Sequence, residues 1–281
     1  MKPLIVCTFL IASTLSLNGF SQTRKLETGK KSLTETSSSS NATTSTKKNR
    51  RTTNDDETIG DGIIGFFGRL LLEVVWYSTY GILIETAEER SHKMHDAEIA
   101  SYPYKQAHYG NYIYTNSTNY TLARVDLSYN FLIENNHLYG NQLNANVRFL
   151  QRMGLAADYL YFTEKNMADT DSFSALSLLI HYYRIRTQKF DLSFGLGVTH
   201  VGSGVNTSGF TYGFTSEWFI QKPMSFMASY KKAYINENSV DNTKLLLKYY
   251  LKKFQFSSGY QHFKIGSVEI NTFSIGIGMT L

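Results

Sequence analysis

The sequence predicts an all-β fold: an antiparallel up-and-down transmembrane β-barrel of ten strands, preceded by an amphipathic helix. Three observations predict this fold class. From residue 120 onward, apolar and polar side chains alternate, as in the stretch 190–199, where one strand face is apolar and the other is small or polar. Short turns alternate with longer loops between these segments. Aromatic residues make up 14% of the chain and there are only three prolines, a composition that suits pleated strands.

Ten segments follow this alternation, each with about ten residues, the length that a tilted strand needs to cross a bilayer. They are 120–131, 139–149, 153–162, 173–183, 190–201, 210–219, 224–234, 242–251, 254–263 and 268–281. The short connections are 151–152, 186–188, 221–223 and 252–253, and the longer ones are 132–138, 163–172, 202–209, 235–241 and 264–267. Bacterial membrane barrels have short turns on the periplasmic side and longer loops outside, so the pattern also predicts an orientation.

Aromatic side chains on the apolar face concentrate near the two predicted ends of the strands, with aliphatic side chains between them. We expect two girdles at the membrane interfaces, formed by residues that include Tyr129, Tyr159, Tyr161, Tyr212, Trp218, Tyr230 and Tyr249. A soluble barrel that carries a lipid has the inverse arrangement, with apolar side chains inside and polar ones outside. The aromatic positions therefore favour a barrel whose outer face contacts lipid.

The N-terminal residues are predicted to direct export. Lys2 precedes an apolar run over 4–17, and small residues precede a cleavage position near Ser21 and Gln22, so residues 1–21 are expected to be a signal peptide. Cys7 is the single cysteine and lies inside this run, so the processed chain has no thiol for a disulfide or a metal site. Much of the basic excess behind the net charge of +5 lies in one tail, which argues against nucleic-acid binding.

The residues between the signal peptide and the barrel divide into two parts. Residues 22–58 are of low complexity, and we expect this leader to be disordered. In the region 59–107, the polar positions of 59–84 fall near one helical stripe, which predicts an amphipathic helix that lies in the membrane interface or packs against the barrel. A connector and then the barrel domain at 108–281 follow it. The segment 74–84 is also rich in β-forming residues. If it and 109–115 are strands, the barrel has twelve strands.

The chain resembles the small outer-membrane β-barrel proteins of Gram-negative bacteria. The signal peptide and the terminal segment 273–281, which alternates up to the last residue, carry this resemblance. It implies a porin-like barrel in the outer membrane, which contacts outer-membrane lipid and is assembled by the barrel-assembly machinery. Many such proteins end in an aromatic residue that this machinery reads, whereas this chain ends in Leu281. The resemblance is architectural and indicates no activity.

The polar face of the predicted strands carries nine charged residues that point into the lumen. They are Arg124, Asp126, Arg148, Asp158, Asp191, Glu217, Lys231, Lys244 and Lys248. Because a ten-stranded barrel has a narrow interior, we expect these acidic and basic side chains to pair across the lumen and to close it. The sequence contains no cofactor motif and no spacing that fixes a metal site, so we expect neither group.

Three functional classes follow from these observations. The favoured one is a structural or scaffold barrel without enzymatic activity, whose lumen is closed by ion pairs. An alternative is a narrow channel for small polar solutes through the same lumen. A second alternative is an outer-membrane hydrolase with His and Asp residues at the rim. Its candidate residues in or beside the predicted outer loops are His137, His200, Asp169, Asp171, Asp241 and Ser203.

Overall fold

The structure is a computed structural model that describes residues 24–34, 97–105, 110–114, 121–166 and 169–281. Among these residues, one helix, α1 (Lys25–Thr34), and a two-stranded antiparallel sheet of β1 (Glu98–Ile99) and β2 (Tyr112–Ile113) precede the barrel. The predicted signal peptide and the predicted helix over 59–84 lie outside the described residues. Within the described ranges, no helix combines the length and the apolar character needed to cross a membrane.

Ten antiparallel strands form a closed barrel, which confirms the predicted fold class and strand number. They are β3 (Ala123–Ile133), β4 (Leu138–Phe149), β5 (Met153–Lys165), β6 (Thr170–Arg186), β7 (Phe190–Val201), β8 (Thr207–Gln221), β9 (Met224–Ile235), β10 (Asn238–Leu251), β11 (Phe254–Ile265) and β12 (Val268–Thr280). Each strand pairs with its neighbours in sequence, and β12 pairs with β3 to close the ring. Because β2 pairs with β1 outside this ring, the alternative of a barrel strand at 109–115 is wrong.

The expected contrast between short turns and long loops is weaker than predicted. The connections on one side are 150–152, 187–189, 222–223 and 252–253, and those on the other are 134–137, 166–169, 202–206, 236–237 and 266–267. Alternating side chains continue into segments predicted as loops, so β5 and β10 extend further than expected. The turns that begin at Asn236 and Gly266 place these residues at φ values of 53° and 58°, the left-handed conformation of tight hairpin turns.

The two ends of the barrel carry different parts of the chain. The side with connections 134–137, 166–169, 202–206, 236–237 and 266–267 carries α1, and we name it the α1 end. The opposite side, which we name the turn end, carries the four short turns, the β1–β2 segment, the start of β3 and the end of β12. Both chain ends of the barrel therefore lie at the turn end, as an even number of strands requires.

Side chains alternate between an apolar outer face and a largely polar inner face. The outer face exposes many large apolar side chains, for example Leu143, Ile180, Leu196, Phe214, Ile275 and Ile277. The largest apolar part of the inner face lies towards the α1 end, where a buried cluster includes Leu132, Phe162, Phe173, Phe263 and Ile270. Most of the polar side chains of the lumen lie between this cluster and the turn end, where Phe219 and Tyr250 form a smaller buried cluster with Tyr104.

The expected disorder of 22–58 is wrong for residues 25–34, which form α1. Leu26, Gly29 and Leu33 recur at helical spacing and are buried against the apolar cluster at the α1 end. Composition suggested disorder because this segment has few apolar residues. The helix forms because the barrel supplies the rest of the apolar surface and, as described below, partners for both helix ends.

Candidate functional site

The candidate site is the polar lumen, and the structure brings together the nine charged residues predicted to line it. All nine lie on the inner face because each is in phase with the inward side chains of its strand. Each of the four carboxylates lies within ion-pair distance of at least one basic group from this set. The nine side chains form three groups, each centred on one or two carboxylates.

The first group joins two arginines and two aspartates near the turn end. Arg124 Nη2 lies 2.8 Å from Asp126 Oδ2, and Arg148 Nη1 lies 3.0 Å from Asp191 Oδ2. Arg148 Nε lies 3.8 Å from Asp126 Oδ2, so Arg148 connects the two aspartates. Asn111, beside β2, accepts a hydrogen bond from Arg124 at 2.8 Å and donates one to Asp191 at 2.6 Å. A residue from outside the barrel strands thus completes the group.

The second group is centred on Asp158. Its carboxylate lies 2.9 Å from Lys244 Nζ and 3.3 Å from Lys231 Nζ. Gln142 Nε2 donates to both carboxylate oxygens at 3.1 and 3.0 Å. The three partners come from β4, β9 and β10, so this carboxylate links strands on different sides of the barrel. Its negative charge is balanced by more than one ammonium group.

The third group is centred on Glu217, which lies 3.3 Å from Lys248 Nζ. Ser225 Oγ and Tyr250 OH each donate a hydrogen bond of 2.6 Å to Glu217 Oε1. The Tyr250 ring packs against Tyr104, which lies before β2, with ring centroids 5.8 Å apart. This group therefore also contacts the chain segment at the turn end.

A cavity of about 170 Å³ remains between these groups, with room for several water molecules. His181 lines it, and His181 Nδ1 lies 3.2 Å from Ser193 Oγ. Nearby, the Arg148 guanidinium lies 4.4 Å from the ring centroid of Tyr183, a distance typical of a cation–π contact. The middle of the lumen is therefore lined mainly by polar side chains and encloses space that is large enough for water.

The described residues of 97–114 occupy the lumen at the turn end. Arg124 Nη1 donates to the carbonyl of Ala100 at 3.0 Å, and Tyr104 OH donates to the carbonyl of Met224 at 2.5 Å. Tyr112 is fully buried and packs edge-on against Tyr183, with centroids 6.3 Å apart. Tyr114 OH donates to a carbonyl of β6, and burial raises the pKa of this phenol to about 12. These contacts attach the segment to several barrel strands.

At the α1 end, barrel side chains bind the peptide groups at both ends of the helix. The Glu164 carboxylate accepts the backbone N–H groups of Lys25 at 3.1 Å and Leu26 at 2.8 Å. These N–H groups have no partner within the helix, and a carboxylate there also interacts favourably with the helix dipole. At the other end, Asn236 and Asn238 each donate a side-chain hydrogen bond of 2.6 Å to a C-terminal carbonyl of α1.

Packing and ion pairs hold the length of α1 in the barrel mouth. Leu26 and Leu33 are almost fully buried in the apolar cluster. Gly29 permits a close approach, because a Cβ atom at this position would lie 3.1 Å from the Ile265 side chain. Lys25 Nζ lies 2.7 Å from Glu134 Oε1, and Lys30 forms an ion pair with Asp171.

The structure does not bring the candidate hydrolase residues together into one site. Asp171 and Asp241 form ion pairs with Lys30 and Lys232, and Asp169 lies 3.9 Å from Arg24. Among the described residues, no group of three or more His, Cys, Asp or Glu side chains is suited to a metal ion. His200 and Ser203 are near each other in sequence, but Ser203 forms its hydrogen bond with Ser174, and His200 forms its hydrogen bond with Ser208. His137 lies in the connection 134–137 and is exposed.

The aromatic side chains predicted for the membrane interfaces lie on the outer face. Tyr129, Tyr159, Trp218 and Tyr249 are each 41–47% exposed. Tyr161, Tyr212 and Tyr230 are partly buried by neighbours on the same face. Trp218 stacks on Phe190 with ring centroids 5.3 Å apart, next to the turn end.

Three further residues of the site were missed by sequence reasoning. The sequence predicts a loop at Glu164, although this residue continues the inward phase of Asp158 along β5. It also predicts a turn at Arg186. In the structure, an irregularity between Tyr183 and Ile185 shifts the phase of β6, so that Arg186 pairs with the inward-facing Asp191. Asn111 lies outside the alternating strands, and no local pattern indicates its position.

Comparisons with known proteins concern the barrel. No family model and no curated protein matches the sequence. The chain is similar to the NanC porin structure, with 7% identity and a TM-score of 0.37 over 56% of this chain and 100% of that chain. It is also similar to the KdgM porin, with 10% identity and a TM-score of 0.35 over 56% of this chain and 98% of that chain. For the attachment invasion locus protein Ail of Yersinia pestis, the identity is 14% and the TM-score 0.27, over 57% of this chain and 96% of that chain. These proteins are outer-membrane β-barrels, the class that the sequence resembles, and the likeness assigns no solute and no activity to this chain.

Proposed function

We propose that this protein is an outer-membrane β-barrel with a structural or scaffold role and a closed lumen. The observation that carries the proposal is the occupation of the lumen at three levels. The α1 helix fills one mouth, the three ion-pair groups cross the lumen between its middle and the turn end, and the described residues of 97–114 fill the other mouth.

The outer face supports the membrane location. Large apolar side chains such as Ile180, Leu196 and Ile277 are each more than half exposed and occur on strands all around the barrel. Soluble monomers rarely expose continuous apolar surfaces of this extent, because the contact of such surfaces with water is unfavourable. Lipid removes this surface from water, and the aromatic residues towards the strand ends suit the two interfaces.

The pairing within the lumen supports closure. The carboxylates of Asp158, Asp191 and Glu217 are almost completely buried, and each has a basic partner together with at least one neutral hydrogen-bond donor. A solute that passed would have to separate these pairs, and separation leaves buried charges without partners. Interactions that cross the lumen from strand to strand therefore stabilise the closed barrel and obstruct a permeation path.

The membrane location is tested by fractionation and gel migration. We expect the processed protein in outer-membrane fractions, with a change in gel migration on heating that reports unfolding of the barrel. Recovery of the full-length processed chain as a soluble periplasmic monomer would contradict the proposal.

Closure is tested by planar-bilayer conductance, with two neighbouring residues as a matched pair. We expect no steady conductance from the wild-type protein. Glu217→Ala removes a lumen carboxylate and should destabilise the barrel or produce a leak, whereas Ser216→Ala, on the lipid-facing side, should do neither. A steady wild-type channel of large conductance would show that the charges line a pore.

A narrow channel for small polar solutes is the second candidate, because the polar cavity between the ion-pair groups offers space that is large enough for water. This function requires both mouths to open. It predicts a small but steady conductance that increases when α1 is removed. A closed scaffold should show no conductance in that variant as long as the three ion-pair groups remain intact.

A further inference from the structure

An apolar groove of about 400 Å³ lies on the outer wall at the turn end. Four consecutive strands of the ring, β11, β12, β3 and β4, supply its walls. Its main lining side chains are Leu127, Leu143, Phe254, Phe256, Ile277 and Met279. The register places Phe254 beside Met279 and Phe256 beside Ile277, so the groove extends along the strands over two successive outward positions.

A pair of basic residues borders this groove. Lys252 and Lys253 form the two-residue turn between β10 and β11, and both are exposed. Their neighbours Leu251 and Phe254 are 55% and 54% exposed, so the lysines lie directly beyond the apolar outer face. The backbone N–H of Thr280 donates to the carbonyl of Lys253 at 2.7 Å, which fixes this turn against β12, one wall of the groove.

The charged side chains in the short turns at this end are all basic, which favours the binding of an anion at Lys252 and Lys253. The other short turns at this end contain Arg152, Lys189 and Lys222, and none of the four turns contains an acidic residue. The carboxyl-terminal residue Leu281 is bonded through its backbone to Val125 of β3, on the other side of β12 from the basic turn. An anionic group at Lys252 and Lys253 would therefore meet two ammonium groups and no neighbouring side-chain carboxylate from the turns.

We propose that the groove and the basic turn bind one anionic phospholipid, with its phosphate headgroup at Lys252 and Lys253 and one acyl chain in the groove. The inference rests on the proposed membrane location. A phospholipid has the matching chemistry, because its anionic headgroup is joined directly to apolar acyl chains. In the same way, the exposed lysines of the turn lie directly beside the apolar groove. Each lysine is attracted electrostatically to an anionic headgroup. Two lysines imply a binding preference on the order of tenfold for an anionic lipid over a zwitterionic lipid.

The experiment compares retention of phosphatidylglycerol and phosphatidylcholine with identical acyl chains. Protein folded in detergent, and first shown by heat-modifiable migration to form the barrel, is incubated with an equimolar lipid mixture and analysed by native mass spectrometry. The test variant is Lys252→Gln with Lys253→Gln. The matched control is Lys189→Gln, in the turn between β6 and β7 on the opposite side of the ring. A third variant, Met279→Trp, fills the groove without a change in charge.

We expect the wild-type protein to retain one phosphatidylglycerol in preference to phosphatidylcholine. The double lysine variant should lose this preference by about tenfold, Met279→Trp should reduce retention of both lipids, and Lys189→Gln should behave as wild type. Equal retention of the two lipids by the wild type, or an equal loss in Lys189→Gln, would overturn the site. Failure of the wild-type protein to form a barrel that inserts into bilayers would overturn the proposed membrane location instead, so the two failures are distinguishable.

Discussion

The two ends of the barrel are closed by different kinds of interaction. At the α1 end, a helix buries Leu26 and Leu33 in an apolar cluster, and carboxylates of the barrel bind its N–H groups and lysines. At the turn end, Arg124 and Asn111 join the β1–β2 segment to the aspartates of the lumen, and the rings of Tyr104 and Tyr112 pack against barrel tyrosines. The first closure depends on apolar packing and helix capping, and the second on buried charge together with aromatic packing.

Because the two ends are closed differently, substitutions at each end should destabilise different parts of the molecule. Loss of one partner in a buried charged network leaves the other charge without compensation, so substitutions there affect the whole barrel. The α1 helix is a separate element that contacts β6, β10, β11 and β12 at one mouth of the barrel. Substitutions in it should release the helix while the ladder of strands remains intact.

The largest expected effect follows from replacement of Arg148 by alanine. This change leaves Asp126 and Asp191 buried with weaker compensation, and the cost should be about 3–5 kcal/mol. Urea unfolding in lipid vesicles, followed by gel migration, measures it. Arg148→Lys keeps the charge and should show a smaller loss. Wild-type stability in the alanine variant would contradict a structural role for the lumen network.

Replacement of Leu33 by alanine should release α1 without unfolding the barrel. The cavity formed in the apolar cluster should cost about 2–4 kcal/mol. The measurement is the rate of tryptic cleavage after the lysines of α1, which should increase at least tenfold, while heat-modifiable migration of the barrel stays unchanged. Thr28→Ala, on the exposed face of the helix, is the control. Simultaneous loss of barrel stability would show that the two ends are not independent.

A smaller effect is expected for Glu164→Gln. The amide keeps one acceptor oxygen for the N–H groups of Lys25 and Leu26, but it loses the charge that interacts with the helix dipole. We expect a loss of about 1 kcal/mol in α1 docking, measured by the same cleavage assay. Equal cleavage in this variant and in the wild type would mean that apolar packing alone holds the helix.

The smallest effect is expected for the ion pair between Lys25 and Glu134 at the rim. Lys25 is one-third exposed, so Lys25→Ala should weaken docking by no more than about 0.5 kcal/mol, and this difference should vanish in about 1 M salt. The buried pairs of the lumen should be insensitive to the same salt concentration. A salt dependence of barrel unfolding as large as that of α1 docking would remove the distinction between the two ends.

The period of two in the sequence determined most of the barrel by itself. A strand sends successive side chains to opposite faces, so the phase of Asp158, Asp191, Glu217 and Lys244 assigned them to the interior without any knowledge of their partners. The same periodicity set the number of strands and the apolar outer face. The periodicity does not define the strand ends, because the alternation continues into residues whose composition is typical of loops, as at Glu164.

The tertiary structure alone decided which charges meet and which segments fill the mouths. Asp158 contacts Lys231 and Lys244, far away in sequence, because closure of the ring and the stagger of its strands bring their side chains to the same height in the lumen. The α1 segment has too few apolar residues to fold by itself. It becomes a helix because the barrel mouth buries its two leucines and binds its free peptide groups, and these partners come from residues more than one hundred positions later in the chain.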